Sequence, residues 1–276
     1  MSAEPPTSNP DTASATRRIT VIICLAEILG MTGFAAFPTL LPLFFVEWSI
    51  SNTQAGWING IYYAGYVAAV MVLTSLTDRI ASRDVYLACS VISGIAIAGF
   101  ALFADAFRSA MVFRTLGGIG LAGTYMPGLK MLSDFLDGPK QSRNMAFYTS
   151  SFGIGASVSI AATGLIAGMT DWRTAFLLLS IGPVIALLIA LVLVPRRGAD
   201  KALRPDTHLL DFRPVLRSRQ AMGFVLAYTV HNFELFAYRA WTVAFLVFAV
   251  ARHPGEVLPA SVAMLAALIN LFGVPA

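Results

Sequence analysis

Ionisable side chains standing inside long apolar runs are the first feature of this sequence that could carry chemistry. Glu27 stands in the run 17–46, Arg114 and Lys130 in 110–133, and His231, Glu234 and Arg239 in 221–250. If these runs cross a bilayer, a charge near mid-helix costs about 2.5–3.5 kcal/mol on the insertion scale, so it needs an interior partner or water. That pattern fits an ion or solute path better than catalysis. Glu27 lies roughly 13 Å into its run at 1.5 Å per residue, and either Glu27 or Glu234 could carry a coupling proton. His231 and Glu234 are three residues apart and share a helix face. A metal site there lacks further ligands and the sequence has no H-E-x-x-H, so a polar cluster lining an aqueous cavity is the better reading. Asn59, Tyr62, Tyr63, Tyr66, Tyr125 and Tyr148 are candidate cavity groups. No nucleophile–base constellation, cofactor motif or metal cluster stands out, so neither an enzyme nor a cofactor is expected.

The elements that would hold these residues are long and apolar. Of 276 residues, 57% are hydrophobic and 12% charged, and the mean hydropathy is +0.72. A soluble domain carries roughly twice that charged share. Apolar blocks run from Arg17 to about 46, then over 55–76, 85–104, 110–133, 145–168, 174–194, 221–250 and 258–276. Each is long enough to read as a bilayer span. The first block is far too long for the h-region of a cleaved signal peptide. Lysines and arginines fall overwhelmingly on one side of this topology. Only Arg108, Arg173 and Arg252 lie in loops on the other side, which predicts a cytoplasmic N-terminus in the inner membrane.

The net charge of +4 does not point to nucleic acid, because the basic residues sit between spans rather than on one patch. Cys24 and Cys89 both lie in apolar blocks and read as small buried hydrophobes. Gly118-Ile-Gly120-Leu-Ala-Gly123 matches the dinucleotide fingerprint in letters only, since no strand precedes it. Its physical reading is close helix contact, with local bending helped by Pro127 and Gly128. Pro38 and Pro42 should kink the first span and free backbone groups that must face protein or water.

The connector between the second and third blocks reads Thr74-Ser-Leu-Thr-Asp78-Arg79-Ile-Ala-Ser-Arg83-Asp84. A carboxylate and arginines crowd two helix ends, which fits an ion-pair latch made in one state only. Here the chain resembles the major facilitator superfamily, whose corresponding loop has the form G-x-L-x-D-R-x-G-R-R/K. Leu76, Asp78, Arg79 and Arg83 match it, while Thr74 and Ala81 stand where glycine is usual. Arg114-Thr-Leu-Gly117-Gly118-Ile-Gly120 is similar to the family's fourth-helix pattern, and Asp171-Trp172-Arg173-Thr-Ala-Phe176 to its W-R-x-x-F turn. The glycine-proline motif of many drug antiporters is replaced by Gly153-Ile-Gly155-Ala-Ser157. The resemblance implies twelve helices in two six-helix halves about a central cavity, with the first and fourth helices facing it. A Glu27–Lys130 pair is then geometrically reasonable.

The expected fold is therefore all-α, a polytopic membrane bundle with about eight spans of an implied twelve. Residues 1–16 read as a disordered tail, 17–195 as a six-helix half, 196–219 as a basic cytoplasmic linker and 220–276 as the first two helices of a second half. The last block reaches Gly273-Val-Pro-Ala276 without a basic anchor, so the chain is expected to stop inside a helix. The expected function is secondary transport of a small solute by alternating access, with proton coupling open. The partners would be solute, protons and lipid bilayer, and the full-length protein would be a monomer. A non-transporting membrane sensor or scaffold is the alternative.

Overall fold

The computed structural model describes residues 10–136, 141–197, 213–253 and 261–273, and helix is the only regular structure among them. The first apolar block is not one helix. It divides into α1 (Pro10–Gly30), α2 (Ala36–Thr39) and α3 (Leu41–Glu47). The break falls at residues 31–35, ahead of Pro38, because proline's missing N–H and ring disrupt the preceding turn. Freed backbone groups there are met by other helices. The Ser159 hydroxyl donates to the Thr32 carbonyl at 2.6 Å and accepts from the Ala35 amide at 3.0 Å. The helix α1 starts at Pro10 rather than at Arg17, since proline suits a first helical position. Residues 1–9 of the expected tail lie outside the described residues.

Next come α4 (Asn52–Leu76), α5 (Ser82–Phe103), α6 (Phe107–Ser133) and α7 (Gln141–Met169). The start of α4 is fixed by a capping box, in which the Gln54 amide donates to Ser51 Oγ and the Ser51 amide to Gln54 Oε1. The sixth block is broken at Ser180 into α8 (Trp172–Leu179) and α9 (Ile181–Leu193). Pro183 lacks the N–H that the Leu179 carbonyl would have accepted. The Thr32 hydroxyl donates to that carbonyl at 2.7 Å instead, tying the two broken spans together. The short α10 (Arg213–Arg217) precedes α11 (Arg219–Arg252), and α12 (Val262–Phe272) closes the described chain. Most of the expected linker, residues 198–212, lies outside the described residues.

All eight apolar blocks are helical. By length and composition α4, α5, α7, the α8–α9 pair and α11 could each cross a membrane. The broken first block, the glycine-rich α6 and the 11-residue α12 are helical as well, but are not among the helices that meet that length and composition. Side chains on the outside are largely apolar, with Val46, Trp57, Phe103, Phe233 and Phe272 among the most exposed, as expected for a lipid-facing surface.

The packing inside follows small residues and aromatics. A Cβ on Gly118 would collide with the Tyr62 carbonyl oxygen of α4, and one on Gly120 with the Ser93 backbone of α5. The glycine run in α6 thus lets two neighbours approach at backbone distance, which is the packing role read from the sequence. At one end of the bundle Phe37, Phe44, Trp48, Phe100, Trp172 and Phe176 form a buried aromatic cluster. The Asp171-Trp172-Arg173 turn is bolted to it. Asp171 caps α8 by accepting from the Arg173 and Thr174 amides at 2.8 and 3.1 Å. The Trp172 indole donates to Glu47 at 2.8 Å, and Arg173 to the Ala101 carbonyl at 2.7 Å.

Candidate functional site

Glu27 is 1% exposed. It reaches from α1 towards α7, where the Tyr148 hydroxyl donates to its Oε2 at 2.9 Å. The same hydroxyl lies 3.0 Å from the Tyr125 carbonyl and 3.3 Å from that of Thr124. Both carbonyls lie just before Pro127, which sits inside α6 and loosens the local hydrogen-bond ladder. Glu27 Oε1 and the Tyr86 hydroxyl have no hydrogen-bond partner among the described residues, and buried polar atoms left in this state are expensive. The Tyr125 ring stacks on Tyr148 with centroids 5.9 Å apart and meets Phe152 edge-on.

Lys130 does not join Glu27. Its ammonium pairs with Asp134 one turn along α6, at 3.4 Å. A lysine near a helix end reaches the nearer polar boundary, and Asp134 provides a partner there.

Arg114 is 5% exposed. Its guanidinium carbon lies 4.1 Å from the Tyr62 ring centre and 5.7 Å from that of Phe37. Its Nη1 reaches the Phe34 carbonyl at 3.5 Å, the group that Pro38 cannot serve. Its Nε has no partner among the described residues. It borders a cavity of about 30 Å³ lined also by Phe34, Tyr62, Ser93 and Thr124, room for a water or two. Asn59 lies buried on α4, its amide spent on the Ala55 carbonyl at 3.3 Å.

Arg239 of α11 is partly buried. Its Nε donates to Asn270 Oδ1 of α12 at 3.1 Å, and Asn270 in turn donates to Ser157 Oγ at 2.8 Å and the Gly153 carbonyl at 3.2 Å on α7. The guanidinium lies over Phe152 at 5.3 Å, while Nη1 is buried without a partner among the described residues. Tyr63 and Phe236 stack 4.4 Å apart across α4 and α11. His231 and Glu234 share α11 but are exposed, and neither touches the Arg239 group. Asn270 escaped the list of sequence candidates. Its position as the one polar residue in the apolar run after Ser261 was the available signal.

The latch differs in its partners from the one expected. Arg83 donates from Nε to the Ala190 carbonyl at 3.1 Å and from Nη2 to Leu191, placing a cation at the C-terminus of α9 as the helix dipole favours. The ion pair beside it joins Arg196 to Asp84, and that carboxylate holds the guanidinium's pKa above its ordinary value. Ser82 donates to Asp134 at 2.8 Å, and Arg197 donates to the Asp134 carbonyl. Asp78 and Arg79 are exposed and make no ion pair among the described residues.

A bundle of broken, glycine-packed apolar helices with charges buried inside it is an architecture that membrane solute carriers use. The family model for the Major Facilitator Superfamily matches residues 23–276, and the chain belongs to that family. Among curated proteins it is 24% identical over 147 residues to the niacin transporter NiaP of Acinetobacter baylyi, covering 53% of this chain and 33% of that one. It is 21% identical over 198 residues to the benzoate transport protein of the same species, covering 68% and 42%. Among solved structures it is similar to a bacterial homolog of the human lysosomal transporter Spinster, in an inward-facing and occupied conformation. The TM-score is 0.69 at 17% identity, over 96% of this chain and 59% of that one. The chain thus matches less than half the length of these curated relatives.

Proposed function

We propose that this chain forms the solute-handling part of a secondary transporter that moves small organic anions by alternating access. One observation carries the reading. Arg114 is buried and Arg239 partly buried, and among the described residues each keeps a buried N–H without a partner and neither pairs with a carboxylate. An uncompensated buried cation is costly, and an anionic solute would supply the missing charge. The rings of Tyr62, Phe152 and Phe236 near them suit a planar acid. Niacin and benzoate, named for two relatives, are of that kind.

Glu27 and Tyr148 provide a place for a coupling proton. With Glu27 ionised, the Tyr148 O–H points at the carboxylate. With Glu27 protonated, the carboxyl donates to Tyr148, and the phenol proton turns to the Tyr125 carbonyl at 3.0 Å. The Glu27–Tyr148 hydrogen bond is kept in both states without moving a helix. The charge pattern of the loops supports a cytoplasmic N-terminus, and rocking of two rigid halves about a midplane site is the mechanism such bundles use.

The test is uptake of radiolabelled benzoate and nicotinate into proteoliposomes containing the full-length protein, with and without an inward proton gradient. Saturable uptake that falls at least tenfold in Arg114→Gln and Arg239→Gln is expected. Binding of acid without flux would instead mark a sensor.

A further inference from the structure

A groove of about 710 Å³ runs along one flank of the bundle, between the start of α1 and the end of α9, lined by Ser14, Arg17, Arg18, Val21, Ile22 and Leu193. Its two ends differ in chemistry. At one end stand Arg17 and Arg18, both exposed and neither in an ion pair among the described residues. Three arginines near the same end of α9 are all occupied: Arg83 on helix carbonyls, Arg196 on Asp84, and Arg197 over the Phe135 ring. Below the free pair the wall is apolar. Val21 is 50% and Leu193 45% exposed. Leu25, one turn beyond Val21, continues the strip at 49%. Arg18, Val21, Ile22 and Leu25 follow the three- and four-residue spacing of one helix face.

We propose that this groove binds an anionic phospholipid, with its phosphate on Arg17 and Arg18 and an acyl chain lying along Val21, Ile22 and Leu193. The argument is one of charge and depth. The outer surface of the bundle is largely apolar, and the arginine pair opens the apolar block 17–46, which would set it at headgroup level if that block crosses the bilayer. Basic pockets between helices at that level recognise anionic headgroups. A zwitterionic lipid would fill the apolar wall equally but bring no net charge to the two guanidiniums. A free phosphate would meet the arginines and leave the wall bare. The inference is independent of what solute the protein carries.

Native mass spectrometry of the detergent-solubilised protein, titrated with phosphatidylglycerol or phosphatidylcholine of matched chains, tests it. Two basic residues at the surface should favour the anionic lipid by about 30-fold. The double variant Arg17→Gln/Arg18→Gln should lose most of that preference, while Arg108→Gln, an exposed arginine at the opposite end of the bundle, should keep it. Val21→Asn with Leu193→Asn should weaken retention of both lipids. Equal retention of the two lipids, or a preference unchanged in the double variant, would overturn the proposal. So would displacement of phosphatidylglycerol by millimolar inorganic phosphate, which would assign the arginines to a free anion.

Discussion

The Tyr148 hydroxyl stands 2.9 Å from Glu27 Oε2 and 3.0 Å from the Tyr125 carbonyl, so one phenolic proton has two acceptors, and the choice follows the charge on Glu27. Two prolines supply acceptors of another kind. Pro38 leaves the Phe34 carbonyl for Arg114, and Pro183 leaves the Leu179 carbonyl for Thr32. In a bilayer, where water cannot serve a freed backbone group, each of these two prolines creates a fixed acceptor for a polar side chain of a neighbouring helix.

If Glu27 carries the proton, Glu27→Gln should abolish acceleration of uptake by a proton gradient while leaving solute counterflow intact, since exchange needs no net protonation. Tyr148→Phe removes the hydrogen bond and leaves the carboxylate without its partner, so gradient-driven uptake should fall about tenfold. Gradient-driven uptake at the wild-type rate in Glu27→Gln would remove Glu27 from the coupling path.

Arg114 should be sensitive to the shape of its cation as well as to its charge. Lysine keeps the charge but loses the flat guanidinium that lies over Tyr62 while reaching the Phe34 carbonyl. A loss of about 1–2 kcal/mol should raise KM for an organic acid roughly tenfold in Arg114→Lys. Arg114→Gln should raise it further. Equal KM in wild type and Arg114→Gln, measured by concentration-dependent uptake, would place the solute elsewhere.

The spans, the buried ions and the packing glycines were all legible in the sequence, because a bilayer imposes long apolar runs and makes each interior charge conspicuous. Partner choice was not. Lys130 was expected to meet Glu27, but it pairs with Asp134 four residues on in its own helix, a neighbour on the same helix face. Arg83 was expected to work with Asp78, yet it serves helix carbonyls contributed by residues 190 and 191, a relationship that only the packing of α5 on α9 creates. The break at residues 31–35 was announced by Pro38, but Ser159, which satisfies it, carries no local signal. His231 and Glu234 looked like a cluster by spacing alone, and α11 turns both away from Arg239.

Asn270 orients Arg239 by accepting from Nε while its own amide is held on α7. Asn270→Asp would set a carboxylate against that guanidinium and neutralise it from within. Its effect on organic-acid KM should be a rise of about tenfold or more. Asn270→Ala loosens the same arginine without cancelling its charge and should act more weakly. The order Asp worse than Ala is the informative readout, because a purely structural role would make alanine, which loses every hydrogen bond, the more damaging change.

Asp171 offers a pH test outside the membrane. Its carboxylate accepts from the Thr174 hydroxyl and amide and from the Arg173 amide at the start of α8, and these bonds hold its pKa below the ordinary aspartate value. A depressed acid stabilises the fold above its unfolded pKa of about 3.9, and that contribution fades as pH falls through the lower folded value. Thermal unfolding in detergent should therefore show a gap between wild type and Asp171→Ala that is constant from pH 8 down to about 5 and closes towards pH 3. Asp171→Asn keeps a capping oxygen without the titration, so its difference from alanine should stay the same over this range, and the acid-dependent loss should appear in wild type alone. A gap that widened with acid would mean that the carboxylate is not what holds the turn beneath Trp172.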